Sequence, residues 1–70
     1  MDTMARVKEI AQERDLSLYQ LAQLCDIPYW TLKRTDERNG QLAVNTIERI
    51  CIGLNMPMSI FFENSERYRS

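Results

Sequence analysis

A pair of short helical segments separated by three residues constrains the fold of this chain more than any other feature. The first segment begins at Ser17, which with Gln20 forms the S-x-x-Q pattern of a capping box, where each side chain bonds the other residue's backbone N–H. Apolar side chains then recur at helical spacing, at Leu18, Leu21, Ala22 and Leu24. After a break at residues 25–27, Pro28 can open a second helix because its fixed φ suits a first turn. Two consecutive helices joined by a tight turn are therefore expected at the centre of the chain.

The second helix of this pair is predicted to present an unusual surface. It is expected to span about residues 28–35, with Leu32 and Thr31 facing inward. Its outward side chains are then two aromatics and two cations: Tyr29, Trp30, Lys33 and Arg34. Clustered large aromatics on an exposed face point to binding rather than to solubility alone. This face is the candidate working surface of the protein.

A first amphipathic helix is predicted upstream of the pair, from about Thr3 to Arg14, with Asp2 or Thr3 as its cap. Its inward positions follow three- and four-residue steps, at Met4, Val7, Ile10 and Ala11. Downstream of the pair, residues 35–41 are polar, and Asn39-Gly40 is a strong turn signal because both residues tolerate positive φ. A surface loop is therefore expected after the third helix.

A fourth and a fifth helix complete the expected fold. Asn45 is predicted to cap the fourth helix through an N-x-x-E pattern, and Val44 can staple onto its first turn. The inward stripe of this helix comprises Ile47, Ile50, Cys51 and Leu54, and Asn55 suits a left-handed terminus. A short fifth helix should follow Pro57. Its apolar residues Met58, Phe61 and Phe62 are expected to close the core.

The composition is that of one globular domain. Seventy residues, of which 44% are hydrophobic and 27% charged, lie near the lower size limit for a core without metals or disulfides. No apolar run is long enough to span a membrane, and charges in the first twelve residues disfavour a signal peptide. A net charge of −1 argues against general polyanion binding. A locally basic face is still compatible with DNA, because Lys33, Arg34 and Arg38 are close in sequence.

Enzymatic activity, a metal site and a cofactor are not expected. The chain has no histidine, and Cys25 and Cys51 are too far apart for a CxxC motif. Buried free thiols are the simpler interpretation of these cysteines, and a disulfide is the alternative. Neither cysteine has a recognisable base beside it, and two glycines do not make a glycine-rich phosphate loop. The residues also indicate no small-molecule ligand, so a binding protein is favoured.

The order of these features resembles the helix-turn-helix domain of the XRE family, to which the Cro- and cI-type phage repressors belong. The segments that carry the resemblance are LSLYQLA at 16–22, IPYWTLKR at 27–34, NG at 39–40, NTIERI at 45–50 and GLNMPMSIFF at 53–62. The resemblance implies an all-α, five-helix, lambda-repressor-like domain over residues 1–62, followed by a polar tail at 63–70. One departure is Asp26, which stands where the family's turn usually has glycine and must then tolerate a left-handed conformation.

The resemblance also implies a function. Members of the family are transcriptional regulators of prokaryotes and phages, typically repressors, which bind double-stranded DNA in the cytoplasm as homodimers. Their recognition helix enters the major groove, which here assigns base or groove contacts to Pro28, Tyr29, Trp30, Lys33 and Arg34. Arg34 would pair with O6 and N7 of a guanine, and Lys33 would contact a base edge or a phosphate.

Phosphate contacts and the dimer interface follow from the same resemblance. The start of the second helix lies across the DNA backbone in the family, and the loop before the fourth helix touches it. These positions correspond here to Ser17, Leu18, Tyr19, Gln20, Arg38, Asn39, Gln41 and Asn45. Family members commonly dimerise through the end of the fourth helix and the fifth helix. That assigns the homodimer interface to Met56, Met58 and Ile60.

The aromatic pair admits a second function. The family usually has a small or amide residue where Trp30 stands, and an indole has no pairing code for base edges. Three interpretations are open for Tyr29 and Trp30: one ring folds back over the core, the rings contact DNA, or they contact a protein. The alternative to a DNA-binding regulator is a protein-binding module on the same fold, of the antitoxin, antirepressor or inhibitor type, that uses Tyr29 and Trp30.

Overall fold

The structure, a computed structural model, describes residues 2–63, which fold into five helices without a strand. The helices are α1 (Thr3–Glu13), α2 (Leu18–Leu24), α3 (Tyr29–Glu37), α4 (Val44–Gly53) and α5 (Met58–Phe61). The all-α prediction and the order of the helices are therefore confirmed for this part of the chain. Of the predicted tail at 63–70, only Glu63 is included, and residues 64–70 lie outside the described residues.

The first four helices all end at one residue in the left-handed conformation. These residues are Asp15, Asp26, Asn39 and Asn55, with φ of 60°, 58°, 55° and 54°. The N–H of the next residue bonds the carbonyl oxygen five positions earlier, at 2.8 or 2.9 Å, which is the long hydrogen bond of a Schellman motif. The conformations predicted for Asp26 and Asn55 are confirmed. At the Asn39-Gly40 turn only Asn39 has a positive φ.

Side chains from all five helices form one core. The largest fully buried ones are Val7, Ile10, Leu21, Leu32, Ile50 and Phe61. The inward positions predicted for α1 and α4 are all buried. Phe61 closes the core from α5, with Met58 and Phe62 packed partly against it. The apolar periodicity therefore identified the inward faces of α1 and α4 correctly.

A buried arginine joins the two ends of the described chain. Arg6 is only 8% exposed, and its Nε and Nη2 donate to the carbonyl oxygens of Phe61 at 2.6 Å and Ile60 at 2.8 Å. Its Nη1 lies 2.6 Å from the Glu9 carboxylate, which balances the charge. Carbonyls at a helix C-terminus lack partners within the helix, so Arg6 supplies them for α5. The residue therefore has a structural role that the apolar periodicity of α1 did not reveal.

The predicted end of the third helix is wrong by two residues. α3 continues to Glu37 instead of ending near residue 35, so the surface loop is shorter than expected. Thr35 is buried, and its Oγ1 donates to the Thr31 carbonyl at 2.9 Å, which lets a polar residue occupy an inward position. Asp36 is held by Lys8 of α1 at 2.7 Å. These contacts extend the helix through residues that appeared from their polarity to belong to a loop.

The predicted start of the fourth helix is also wrong. α4 begins at Val44, and the Ala43 carbonyl accepts from the N–H groups of Thr46 and Ile47. Asn45 is therefore in the first turn and is not the N-cap, and no side chain caps this helix. Val44 is 66% exposed and does not act as a staple. Two residues before the helix, Leu42 is buried and its N–H bonds the Thr3 hydroxyl at 2.9 Å, which fixes the chain just ahead of α4.

Two side chains differ from the prediction in their exposure. Leu24 is 56% exposed, because Cys25, four residues after the fully buried Leu21, takes the inward position at the end of α2. Tyr29 is not fully outward: it is half-buried and packs against the core. The interpretation in which one aromatic ring folds back over the core therefore holds for Tyr29 and not for Trp30.

Candidate nucleic-acid interface

The tight turn between α2 and α3 sets the orientation of the candidate face. Asp26 adopts the left-handed conformation, and the following Ile27 is buried in the core. The Arg49 guanidinium of α4 donates to the Asp26 carbonyl at 3.2 Å, which ties the turn to the rest of the domain. Leu32 and Thr35 anchor α3 on its inner side. The opposite side of α3 is therefore held outward by a fixed backbone.

Trp30, Lys33 and Arg34 lie together on this outer side. The indole of Trp30 is 59% exposed, and the Arg34 guanidinium carbon lies 5.0 Å from its ring centroid, within cation–π range. Lys33 Nζ is 3.7 Å from the Glu37 carboxylate one turn further along. These four residues line a shallow groove of about 240 Å³. The predicted outward set is confirmed for Trp30, Lys33 and Arg34.

The two acidic residues near this face are each neutralised by a lysine. Asp36 is paired with Lys8 and Glu37 with Lys33, so each nearby carboxylate has a lysine partner. Arg34 and Arg38 form no ion pair within residues 2–63. Both are exposed. The arginines therefore retain their hydrogen-bond donors for a partner.

The start of α2 is formed as predicted. Ser17 Oγ accepts from the Gln20 N–H at 3.0 Å, and Gln20 Oε1 accepts from the Ser17 N–H at 2.8 Å, which completes the capping box. Tyr19 is exposed, accepts a bond from Gln23 at 3.2 Å and packs edge-to-face on Tyr29 with ring centroids 5.5 Å apart. Leu18 is half-buried against the core. Tyr19 therefore connects the start of α2 to the aromatic side of α3.

The remaining candidate phosphate contacts differ in whether their side chains already form hydrogen bonds within the domain. Arg38 and Asn39 are exposed where α3 ends, and Asn45 is exposed in the first turn of α4. Gln41 is engaged, because its Oε1 accepts from the Thr3 N–H at 2.9 Å and from the Thr3 hydroxyl at 2.7 Å. Pro28 is exposed and is the N-cap of α3 rather than its first residue. The Gln41 oxygen is therefore used within the domain, whereas its amide N–H groups, which are the atoms that could donate to a phosphate, have no partner within residues 2–63.

The surface assigned to a dimer contains one residue that the sequence analysis missed. Met56 and Met58 are half-buried, Ile60 is exposed, and beside them Ile52 is 80% exposed. Ile52 and both methionines line a groove of about 540 Å³. The sequence did contain a signal, because Ile52 falls on the side of α4 opposite to the inward stripe and must therefore point away from the core.

Both cysteines are free and buried within the domain. Burial raises the pKa of the Cys25 thiol, and the nearby Cys51 raises it further. Burial, with the Glu48 carboxylate, also raises the pKa of Cys51. Both thiols are therefore neutral near pH 7 and poorly suited to nucleophilic chemistry.

Residues 2–63 define a small all-helical domain with an exposed aromatic and cationic face. Within this range no group of three metal-binding side chains comes together, and none of the helices has the length and apolar character to cross a membrane. No protein-family model, curated protein or solved structure matches the chain. The proposed function therefore rests on the arrangement of the chain's own residues.

Proposed function

We propose that the chain is a sequence-specific DNA-binding transcriptional regulator of the Cro/cI type, with a lambda-repressor-like helix-turn-helix fold. The observation that carries the proposal is the α2–turn–α3 unit, in which α3 is anchored by Leu32 and exposes Trp30, Lys33 and Arg34 on its other side. The major groove of B-DNA, about 12 Å wide, admits one α-helix. α3 supplies the recognition helix in this proposal.

Contacts to the two DNA strands follow from the neighbouring elements. Arg38 and Asn39 after α3, Asn45 in α4 and the start of α2 would flank the groove and meet phosphates. The exposed Lys33–Glu37 pair stabilises α3 by only about 0.3–0.5 kcal/mol, so Lys33 can exchange this partner for a phosphate at little cost. Arg34 needs no such exchange, because it has no carboxylate partner within residues 2–63.

Regulation is proposed to occur by occupation of an operator as a homodimer. Ile52 and Ile60 are exposed and Met58 is half-buried, and association through these residues would present two α3 helices to half-sites about 34 Å apart. Sedimentation of Ile52→Glu tests this association, with Val44→Glu as the matched control at the other end of α4. The proposal requires that the first variant become monomeric while the control still dimerises.

A protein-binding module is the second candidate function, and the exposure of Trp30 favours it. Tyr29 is half-buried, so the aromatic surface available to a protein partner comprises Trp30 and Tyr19. Exposed tryptophan and tyrosine are typical anchors of protein interfaces. The two functions differ in salt dependence, because only binding to phosphates releases condensed counterions.

Binding of a fluorescent random-sequence duplex at roughly 50 and 200 mM salt tests the DNA-binding function. The parent is compared with Lys33→Ala/Arg34→Ala and with a control, Arg14→Gln, that removes a cation at the end of α1 whose guanidinium bonds the Leu54 carbonyl. Affinity should fall by orders of magnitude with salt, and fall further in the α3 variant than in the control. A folded parent that binds no duplex at the lower salt concentration would refute DNA binding and favour the protein-binding module.

A further inference from the structure

The two adjacent cations of α3 have different surroundings. Lys33 faces the Glu37 carboxylate at 3.7 Å, whereas Arg34 faces the Trp30 indole, with 5.0 Å between guanidinium carbon and ring centroid. No hydrogen bond or ion pair involves the Arg34 guanidinium within residues 2–63. The structure therefore separates a partly neutralised cation from one whose donors are all available.

The indole changes what the arginine can do. A guanidinium held against an aromatic ring makes contact through its flat face, so the N–H groups at its edge stay free to donate. The contact also reduces the number of rotamers of a long side chain, which lowers the entropy lost on binding. Trp30 itself has no pairing code for base edges. Its contribution is therefore the orientation of a neighbour that has one.

We infer that Trp30 is a positioning residue which presents the Arg34 guanidinium to the O6 and N7 atoms of a guanine, and that this pair gives the protein a guanine preference. The inference rests on the proposed DNA-binding function. Two adjacent acceptors, as on guanine or on a phosphate, match the paired donors of arginine. Guanine is favoured because the Arg34 guanidinium lies over the indole of Trp30, the second residue of α3, and so reaches back toward the N-terminal part of the helix that enters the groove.

The test uses duplexes recovered from a random-sequence library by the intact 70-residue chain. Each guanine is replaced in turn by 7-deazaguanine, which keeps base pairing but lacks N7, or by inosine, which keeps both O6 and N7. Affinities are measured for the parent, Trp30→Ala, Trp30→Phe, Arg34→Lys and Lys33→Ala, with circular dichroism to verify folding. The readout is the ratio of affinities for guanine and 7-deazaguanine at one position, which a purely structural role of Trp30 would not change.

The parent should lose about tenfold in affinity with 7-deazaguanine at one position and much less with inosine there. Trp30→Ala should lose about two- to fivefold in affinity for the guanine duplex and most of the guanine ratio, and Trp30→Phe should retain both in large part. Arg34→Lys should reduce the ratio without abolishing it, because an ammonium can still donate to O6 or N7 but lacks the paired donors of a guanidinium. Lys33→Ala should bind more weakly yet preserve it.

The possible failures are distinguishable. If duplexes are recovered and bind with strong salt dependence, but Trp30→Ala keeps the parent's guanine ratio, the positioning role is refuted and the DNA-binding function stands. Insensitivity of the parent to 7-deazaguanine at every position refutes the guanine preference and assigns Arg34 to phosphate. Failure to recover any duplex refutes the function and this inference together.

Discussion

The close packing of Gly53 of α4 against Cys25, the residue that ends α2, predicts a large effect of one methyl group. A Cβ atom added at Gly53 would lie 2.8 Å from both Cα and Sγ of Cys25, nearer than side-chain carbons approach their neighbours. Two of the three nearest atoms, Cα and Cβ, cannot rotate away. Gly53→Ala must therefore displace the end of α2, and overpacking of this kind costs about 1–3 kcal/mol.

The higher helix propensity of alanine opposes the cost of this overpacking. Alanine is favoured over glycine within a helix by up to about 1 kcal/mol, and by less at the last residue of α4. We therefore expect Gly53→Ala to lower the free energy of unfolding by about 1–2 kcal/mol. For a domain of this size that corresponds to a fall in Tm of roughly 5–10 °C. Urea unfolding followed by circular dichroism measures the first quantity, and thermal unfolding the second.

Gly40→Ala is the matched control. A Cβ atom at Gly40 would be 3.7 Å from the Thr35 carbonyl oxygen, an ordinary contact, and its φ is not positive. This variant should stay within about 0.5 kcal/mol of the parent. In a Cys25→Ala background, which removes only Sγ, most of the Gly53→Ala penalty should persist. Equal stability of the two glycine variants would refute the close approach of α2 and α4.

Three further predictions concern stability. Arg6→Met should lower the free energy of unfolding by about 2–4 kcal/mol in urea titrations, because it removes two charge-assisted bonds to α5 and unpairs Glu9; a loss below 0.5 kcal/mol would contradict it. Asp26→Gly should raise it by about 0.5–1 kcal/mol, since a left-handed residue costs about 1–2 kcal/mol and glycine's extra unfolded-state entropy offsets part of the relief; a destabilised variant would contradict it. Folding raises the pKa values of Cys25 and Cys51 above their ordinary value of 9.0, because the buried thiols favour the neutral form. Their contribution to the free energy of unfolding should therefore be fully present below pH 9 and be lost as pH rises through the pKa values of the folded protein. Unfolding of the parent and of Cys25→Ala at pH 8 and 10 measures this loss, which should be smaller in the variant.

Sequence patterns predicted the features of this domain that depend on nearby residues. The capping box of Ser17 and Gln20 and the left-handed Asp26 are each set within about five residues, and both are confirmed. Some errors came from local competition, since Cys25 took the inward position expected of Leu24, and others came from contacts between residues far apart in the chain. The Lys8–Asp36 ion pair links residues 28 positions apart, and it holds Asp36 within α3 although its polar neighbours suggested a surface loop.

The candidate site was partly predictable for the same reason. Periodicity on α3 identified Trp30 and Arg34 as outward, because a buried Leu32 fixes the phase of the helix. It did not identify Tyr29 as half-buried, since the packing of Tyr19 on Tyr29 depends on how two helices meet. The Trp30–Arg34 contact has the i, i+4 spacing of helix neighbours, so sequence spacing permits it but does not reveal its geometry.

The hydrogen bonds of Arg6 have a consequence for synthesis on the ribosome. The chain emerges N-terminus first, so α1 is available early, but the carbonyl groups that accept from Arg6 belong to residues 60 and 61. Until those two residues leave the exit tunnel, the Arg6 guanidinium lacks its principal acceptors, so its burial in the core would be unfavourable. The domain therefore cannot close before residues 60 and 61 have left the tunnel, and a nascent chain arrested before residue 60 should remain susceptible to proteases.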